Sequence, residues 1–176
     1  MAYHAKDQFP PVDSETQAIF DQGNEVTALA RALFPDGLEI EGVEDFEAIL
    51  KKTKELLPQR KPLFEAALRY KNTFARPDIL KPNKDGSWDL YEVKSSTEVK
   101  DVHYEDVAFQ KYCYEGAGLR LRKIYLMHIN NKYVKNGPID PAGLLIQEDV
   151  TEETQKLTVQ VEKRVNEMIG ILNQKE

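Results

Sequence analysis

The stretch that decides the fold is PDILKPNKDGSWDLYEVKSS, residues 77–96. Two strand-like runs, FARPDIL at 74–80 and SWDLYEVK at 87–94, flank the segment KPNKDG, whose Asn83, Asp85 and Gly86 are turn residues. That pattern predicts an antiparallel pair. Alternate side chains of a strand share a face, so Glu92 and Lys94 point one way and Tyr91 and Val93 the other, into the core. Asp78 lies on the preceding strand, fourteen residues before Glu92. Pro77 removes a ladder donor and predicts a bend or bulge that turns Asp78 towards Glu92.

Working outward, LFEAALRY at 63–70 reads as a strand before this pair, giving a three-stranded antiparallel meander. A helix is predicted over 101–115, stopped by Gly116 and Gly118, and then a buried strand, LRKIYLMHIN, at 121–130. Upstream, Ser14 and Gln17 have capping-box spacing at the start of a helix over 14–34, and a second amphipathic helix is predicted over 44–57, ended by Pro58. Residues 131–147 read as an irregular excursion. Asp149 and Glu152 repeat the capping-box spacing before a last helix to about 172, through Leu157, Val161, Val165 and Met168. The order is helix, helix, three strands, helix, strand, helix: one α/β domain over 1–176 with a mixed sheet flanked by helices.

Composition agrees with this class. The chain has 176 residues, 41% apolar and 31% charged, enough for one real hydrophobic core. No apolar run reaches the roughly 18 residues of a membrane span, and the N-terminus lacks the apolar core of a signal peptide. The single cysteine, Cys113, excludes an internal disulfide and an iron–sulfur cluster held by this chain alone, and a reducing cytoplasm is the natural setting. A net charge of −6 argues against a surface coated for indiscriminate DNA binding. Two basic regions, Lys51, Lys52, Lys54, Arg60 and Lys61, and Arg120, Arg122 and Lys123, read individually as solvated faces.

Two adjacent carboxylates repel unless something positive lies between them. Mg²⁺ or Mn²⁺ is the usual solution, because hard cations prefer carboxylate oxygens and Mg²⁺ keeps its own waters. Lys94 would then stand at the metal's edge, able to orient a bound water or neutralise charge on an attacked phosphate. For the tripeptide EVK alone, a cross-strand Asp/Glu–Lys pair worth a fraction of a kcal/mol is the plainer reading. Two further features add context. His103, Val107, Gln110 and Tyr114 form one stripe of the helix after the lysine, with Gln110 and Tyr114 one turn apart. Glu25 lies beside the apolar stripe of the first helix, where a half-buried acid would need a partner.

The segments GNEVTALA (23–30), PDIL (77–80), EVKSS (92–96) and QKYCY (110–114) together resemble the PD-(D/E)XK nuclease superfamily in its RecB-like branch. The resemblance covers about residues 14–130, with 131–176 as a C-terminal extension, and its element order agrees. It implies a restriction-endonuclease-like core and Mg²⁺- or Mn²⁺-dependent hydrolysis of DNA phosphodiesters, exonuclease rather than endonuclease, in DNA repair, recombination or defence. Asp78 and Glu92 match the metal-binding acids, the backbone carbonyl of Val93 a further ligand, and Lys94 the catalytic lysine. Gln110 and Tyr114 match the Q-x-x-x-Y helix beside the DNA. Many relatives carry a histidine ligand on the first helix, and this chain offers Glu25 there.

Glu65 is a further candidate, behind those acids or at a second metal site, with an exposed strand acid as the alternative. Ser95 and Ser96 are candidate phosphate contacts, or simply begin the turn into the helix. Relatives with an iron–sulfur cluster use four cysteines, which this chain does not have. The chain reads as a domain cut from a longer protein or as a natural minimal form, with DNA, further domains or a helicase/nuclease as partners and no membrane. The rival reading is a non-cleaving nucleic-acid-binding or scaffolding module, against which the intact Asp78, Glu92 and Lys94 set speaks. A sugar- or nucleotide-handling enzyme of another class finds no Gly-rich phosphate loop, Ser/His/Asp pattern or Cys/His metal spacing to support it.

Overall fold

The computed structural model describes residues 13–40 and 45–173. The chain runs α1 (Ser14–Arg31), β1 (Leu38–Glu39), α2 (Phe46–Leu56), β2 (Leu63–Phe64), β3 (Leu68–Tyr70), β4 (Thr73–Ala75), β5 (Ile79–Pro82), β6 (Trp88–Lys94), α3 (Asp101–Gly116), β7 (Leu121–Ile129), α4 (Pro141–Leu144), β8 (Leu145–Asp149) and α5 (Thr151–Asn173). It is an α/β fold with a mixed six-stranded sheet in the order β1-β2-β5-β6-β7-β8. The β1–β2 and β6–β7 pairs are parallel, and the other three are antiparallel.

The hairpin decoded from residues 77–96 is present. Ile79 pairs with Tyr91 and Pro82 with Trp88, and Gly86 turns the chain at φ +85°. The rest of the meander differs from the sequence reading. The runs 63–70 and 74–80 each split in two: β2 and β5 stay in the main sheet, whereas β3 and β4 form a separate two-stranded hairpin. Pro77 accounts for the split. The β2–β5 ladder pairs Phe64 with Ile79, and one step further the Glu65 N–H still reaches the Asp78 carbonyl at 3.2 Å. Beyond that Pro77 has no N–H to offer and the ladder ends. Glu65 turns the chain out of the sheet through a left-handed conformation, φ +56°, which is uncommon for a non-glycine residue.

The central strand β6 is buried on both faces. Trp88 and Leu90 pack on one side with Leu80, Val107, Tyr114, Ile124 and Leu126. Tyr91 and Val93 pack on the other with Val26, Ala30, Ile79 and Met127. Thus α1 covers one face and α3 the other, and α5 backs α3 through Val161 and Val165 against Ala108 and Tyr112. The β3–β4 hairpin leans on the end of α3, where a Cβ at Gly116 would meet the Tyr70 ring at 2.2 Å.

Helix ends depart from the sequence reading in small ways. Asp13, not Ser14, caps α1, accepting from the Thr16 N–H at 2.7 Å, and Gln17 donates to Asp21 instead of closing a box. The helix stops at Arg31, short of 34, and Ile19 at its start is 62% exposed, so only the C-terminal half of the expected stripe is core. Asp45 caps α2, and residue 44, where that helix was expected to begin, lies outside the described residues. Asp149 accepts from the Thr151 N–H, two residues on, rather than forming a box with Glu152. The segment read as an irregular excursion, 131–147, runs into the first three residues of β8, which pairs with β7 from Tyr125–Asp149 to Ile129–Leu145, so the C-terminal extension completes the sheet. Among the described residues no helix is long and apolar enough to cross a membrane.

Candidate active site

The site forms where β5 begins and β6 ends. Asp78 immediately precedes β5, and its Oδ2 accepts the backbone N–H of Val93 at 2.7 Å. This bond draws the Asp78 carboxylate to the segment that carries Glu92 and Lys94. Burial pushes the Asp78 carboxyl up to about 7, the Glu92 charge adds to the rise, the Val93 N–H opposes it, and the Glu65 charge raises it again. The chain bends at Asp78, directly after Pro77, and the Glu92 charge is felt at the Asp78 carboxyl.

Glu92 projects to the α3 side. Its Oε1 accepts from Lys94 Nζ at 2.8 Å and its Oε2 from Gln110 Nε2 at 2.8 Å. Burial raises its pKa, the Lys94 ammonium lowers it, and the nearby Asp106 carboxylate raises it. Lys94 also donates to Asp106 Oδ2 at 2.6 Å. Burial alone would lower the Lys94 pKa, but Glu92 and Asp106 reverse the effect and hold it above its ordinary value. Lys94 is a fixed ammonium in this environment.

Asp106 was not singled out in the sequence. It lies four residues before Gln110, one helical turn away, and Gln110 Nε2 reaches its Oδ1 at 3.4 Å. The i, i+4 spacing was legible, but an aspartate near a helix N-terminus reads first as a solvated residue.

The remaining candidates divide. Gln110 is buried, and its amide orients Glu92 rather than facing outward; its Oε1 has no partner among the described residues. Tyr114, expected beside DNA, is wholly buried among core residues, with a hydroxyl that also lacks a partner. Burial pushes that hydroxyl well above its ordinary pKa, with the charges of Cys113, Glu92 and Glu65 adding to the rise. A side chain in that position cannot touch DNA: its stripe faces the sheet, and the residue is core. Glu25, expected to be half-buried, is exposed on α1. Its neighbour Val26 takes the buried position against β6, and the helical turn of about 100° per residue carries Glu25 outward.

Glu65 is half-buried between two arginines, with Arg31 and Arg76 each at 2.8 Å. Ser96 Oγ donates to the Glu98 carbonyl at 2.7 Å and closes the turn before α3, while Ser95 is half-buried beside it. His103 Nδ1 accepts the Lys100 N–H and so caps α3. The second basic region is neutralised in place, Arg120 by Asp85, Arg122 by Asp89 and Lys123 by Asp149. In the first, Arg60 donates to three backbone carbonyls and lies over the Trp88 ring.

The donor chemistry suits a hard cation. Asp78 and Glu92 are half-buried acids, the Glu92 charge is felt at Asp78, and Gln110 offers an uncommitted amide oxygen beside Glu92. Among the described residues no three His, Cys, Asp or Glu side chains gather into a metal-holding group, so Glu25 does not complete a trio with Asp78 and Glu92. Two carboxylates and a backbone carbonyl, with water filling the other positions, is a ligand set that Mg²⁺ accepts. Comparison of the chain with protein families, with curated proteins and with solved structures finds no match.

Proposed function

We propose that this chain is a Mg²⁺- or Mn²⁺-dependent DNA nuclease of the PD-(D/E)XK kind, in the RecB-like branch, built on a restriction-endonuclease-like core and acting in the cytoplasm. It hydrolyses phosphodiester bonds as an exonuclease. The observation that carries the reading is the convergence of Asp78, from the neighbouring strand, on the segment that carries Glu92 and Lys94. Asp78 is tied to the backbone between Glu92 and Lys94, and Lys94 is bonded to Glu92. A salt bridge made for stability alone would not need a second half-buried acid beside it, because a carboxylate drawn out of water without a cationic partner is costly.

In this reading Asp78 and Glu92 hold the cation, with the Val93 carbonyl as a further ligand. When bound, the cation supplies an acidified water and an electrophilic contact to the phosphate. Gln110 fixes the Glu92 carboxylate. Lys94, kept protonated, steadies the attacking water or the charge that develops on the phosphate oxygens. The water oxygen would bond to phosphorus as the P–O3′ bond breaks; the O3′ would take up a proton from solvent and leave as a 3′-hydroxyl, and the other product would carry the 5′-phosphate. Glu65, Arg31 and Arg76 support the backbone at Asp78, and Ser95, next to the lysine, is the phosphate contact of the two serines, since the Ser96 hydroxyl is spent on the Glu98 carbonyl.

The test is incubation of labelled linear and circular DNA, single- and double-stranded, with the protein and Mn²⁺. Linear DNA is degraded from its ends, circular DNA survives, and Lys94→Ala is inactive. Degradation by Lys94→Ala at the wild-type rate would overturn the assignment. A protein that binds DNA and takes up no Mn²⁺ would be a non-cleaving module.

A further inference from the structure

The lysine in the site has two acceptors, and the second is not one of the acids assigned to the cation. Lys94 Nζ lies 2.8 Å from Glu92 Oε1 and 2.6 Å from Asp106 Oδ2. Glu92 is on the same strand and the same face as Lys94, so that pair would form with or without α3. Asp106 comes from the helix layered on that face. It is therefore the acceptor that ties the ammonium to a second element. Gln110, one turn along α3, donates to both carboxylates and holds them at a fixed spacing.

We propose that Asp106 is a positioning residue whose carboxylate keeps the Lys94 ammonium in place when Glu92 turns an oxygen to a cation. The proposal deepens the nuclease reading and rests on it for its catalytic consequence. A lysine side chain is long and rotamer-rich and loses that freedom when fixed, and a catalytic group has to be held to roughly 0.5 Å. Glu92 alone cannot do this. An oxygen committed to a divalent cation is a weakened acceptor, and a lysine left with no other partner swings away or competes for that same oxygen. Asp106 removes the conflict. Its side chain is 39% exposed, against 13% for Glu92, and it stands outside the ligand set assigned to the cation.

The experiment compares wild type, Asp106→Asn and Asp106→Ala, with Glu105→Ala as a neighbouring control from the same helix. The first readout is ¹³C relaxation at Lys94 Cε with and without Mg²⁺, which reports side-chain order with no reference to activity. Lys94 stays ordered in wild type and in the control under both conditions. In both Asp106 variants with Mg²⁺ its order falls towards that of an exposed lysine such as Lys52. Equal order in wild type and variants overturns the proposal.

The second readout is cleavage kinetics. The Asp106 variants lose about a hundredfold in kcat with KM unchanged, whereas a general structural defect would move both and lower the unfolding midpoint. An unaltered kcat also overturns the proposal. If wild-type protein cleaves no DNA, the nuclease reading fails, and the relaxation measurement still decides whether Asp106 holds the lysine. If Asp106→Ala does not fold, the near-isosteric Asp106→Asn carries the comparison.

Discussion

The Val93 backbone N–H donates to Asp78 Oδ2 at 2.7 Å. This one bond fastens an acid at the start of β5 to the residue between Glu92 and Lys94, across the antiparallel pair. It stabilises the charged form of Asp78, yet burial and the Glu92 charge outweigh it, and the carboxyl is pushed up to about 7 from 3.8. The two carboxylates strain the site electrostatically.

That strain has a defined pH dependence. Unfolded Asp78 releases its proton near pH 4, whereas folded Asp78 holds it to about 7. Between those values the folded state binds more protons than the unfolded, so stability falls as pH rises through this window and levels off above it. Asp78→Asn keeps an acceptor for the Val93 N–H and removes the charge. In urea unfolding without divalent metal, the variant gains on wild type from pH 4 to pH 8 by a few kcal/mol, on the order of the linkage for such a shift. A constant difference across that range would show that Asp78 titrates normally.

Lys94 stands between Glu92 and Asp106, and its removal separates binding from chemistry. Lys94→Met keeps most of the stem and takes away the cation. Cleavage falls by about a hundredfold or more. Mn²⁺ uptake, followed by calorimetry, persists, because the competing ammonium beside Glu92 is gone. Loss of Mn²⁺ binding together with activity would mean that Lys94 shapes the site rather than acting in the reaction.

Under the nuclease proposal, Tyr114 tests whether the buried stripe of α3 takes part in binding DNA. Its ring is wholly buried and its hydroxyl has no partner among the described residues. A buried hydroxyl without a partner carries a desolvation cost of about 1–3 kcal/mol. Tyr114→Phe removes that group and keeps the ring, so thermal stability holds or rises and DNA affinity is unchanged. A drop in affinity, measured by fluorescence anisotropy at fixed salt, would show that the hydroxyl does reach a ligand.

How far the site was legible follows from which signals are local. The turn at Asn83–Gly86, the alternation through β6 and the pairing of Ile79 with Tyr91 are set by residues near one another, and the hairpin formed as read. The same alternation placed Glu92 and Lys94 on one face. What failed was non-local. LFEAALRY looks like one strand, but the ladder it would continue is ended by Pro77 on a different strand, so its second half departs with β4. The segment before β8 is rich in turn residues, and the strand is recruited by the free edge of β7, which only the folded sheet supplies. Helical spacing grouped Gln110 with Tyr114 correctly but did not say how deeply α3 would bury each. Asp106 became visible only with Lys94 beside it.

The last prediction concerns which acids take the cation. A ligand that binds only the folded state stabilises it by RT ln(1 + [L]/Kd), about 2.7 kcal/mol at a hundredfold excess over Kd. Thermal unfolding in a Mn²⁺ titration therefore reads the site without any substrate. Asp78 and Glu92 are half-buried on adjoining strand segments, whereas Glu25 is exposed on α1. Wild type and Glu25→Gln show the same rise of Tm with Mn²⁺, and Asp78→Asn and Glu92→Gln show little. Loss of the rise in Glu25→Gln would require α1 to move inward on metal binding, bringing its acid to the pair, and would restore Glu25 as a ligand. No rise in wild type, at metal concentrations up to about 10 mM, would leave the two acids and the lysine as a buried ion cluster without a cation, and the nuclease reading would fall with it.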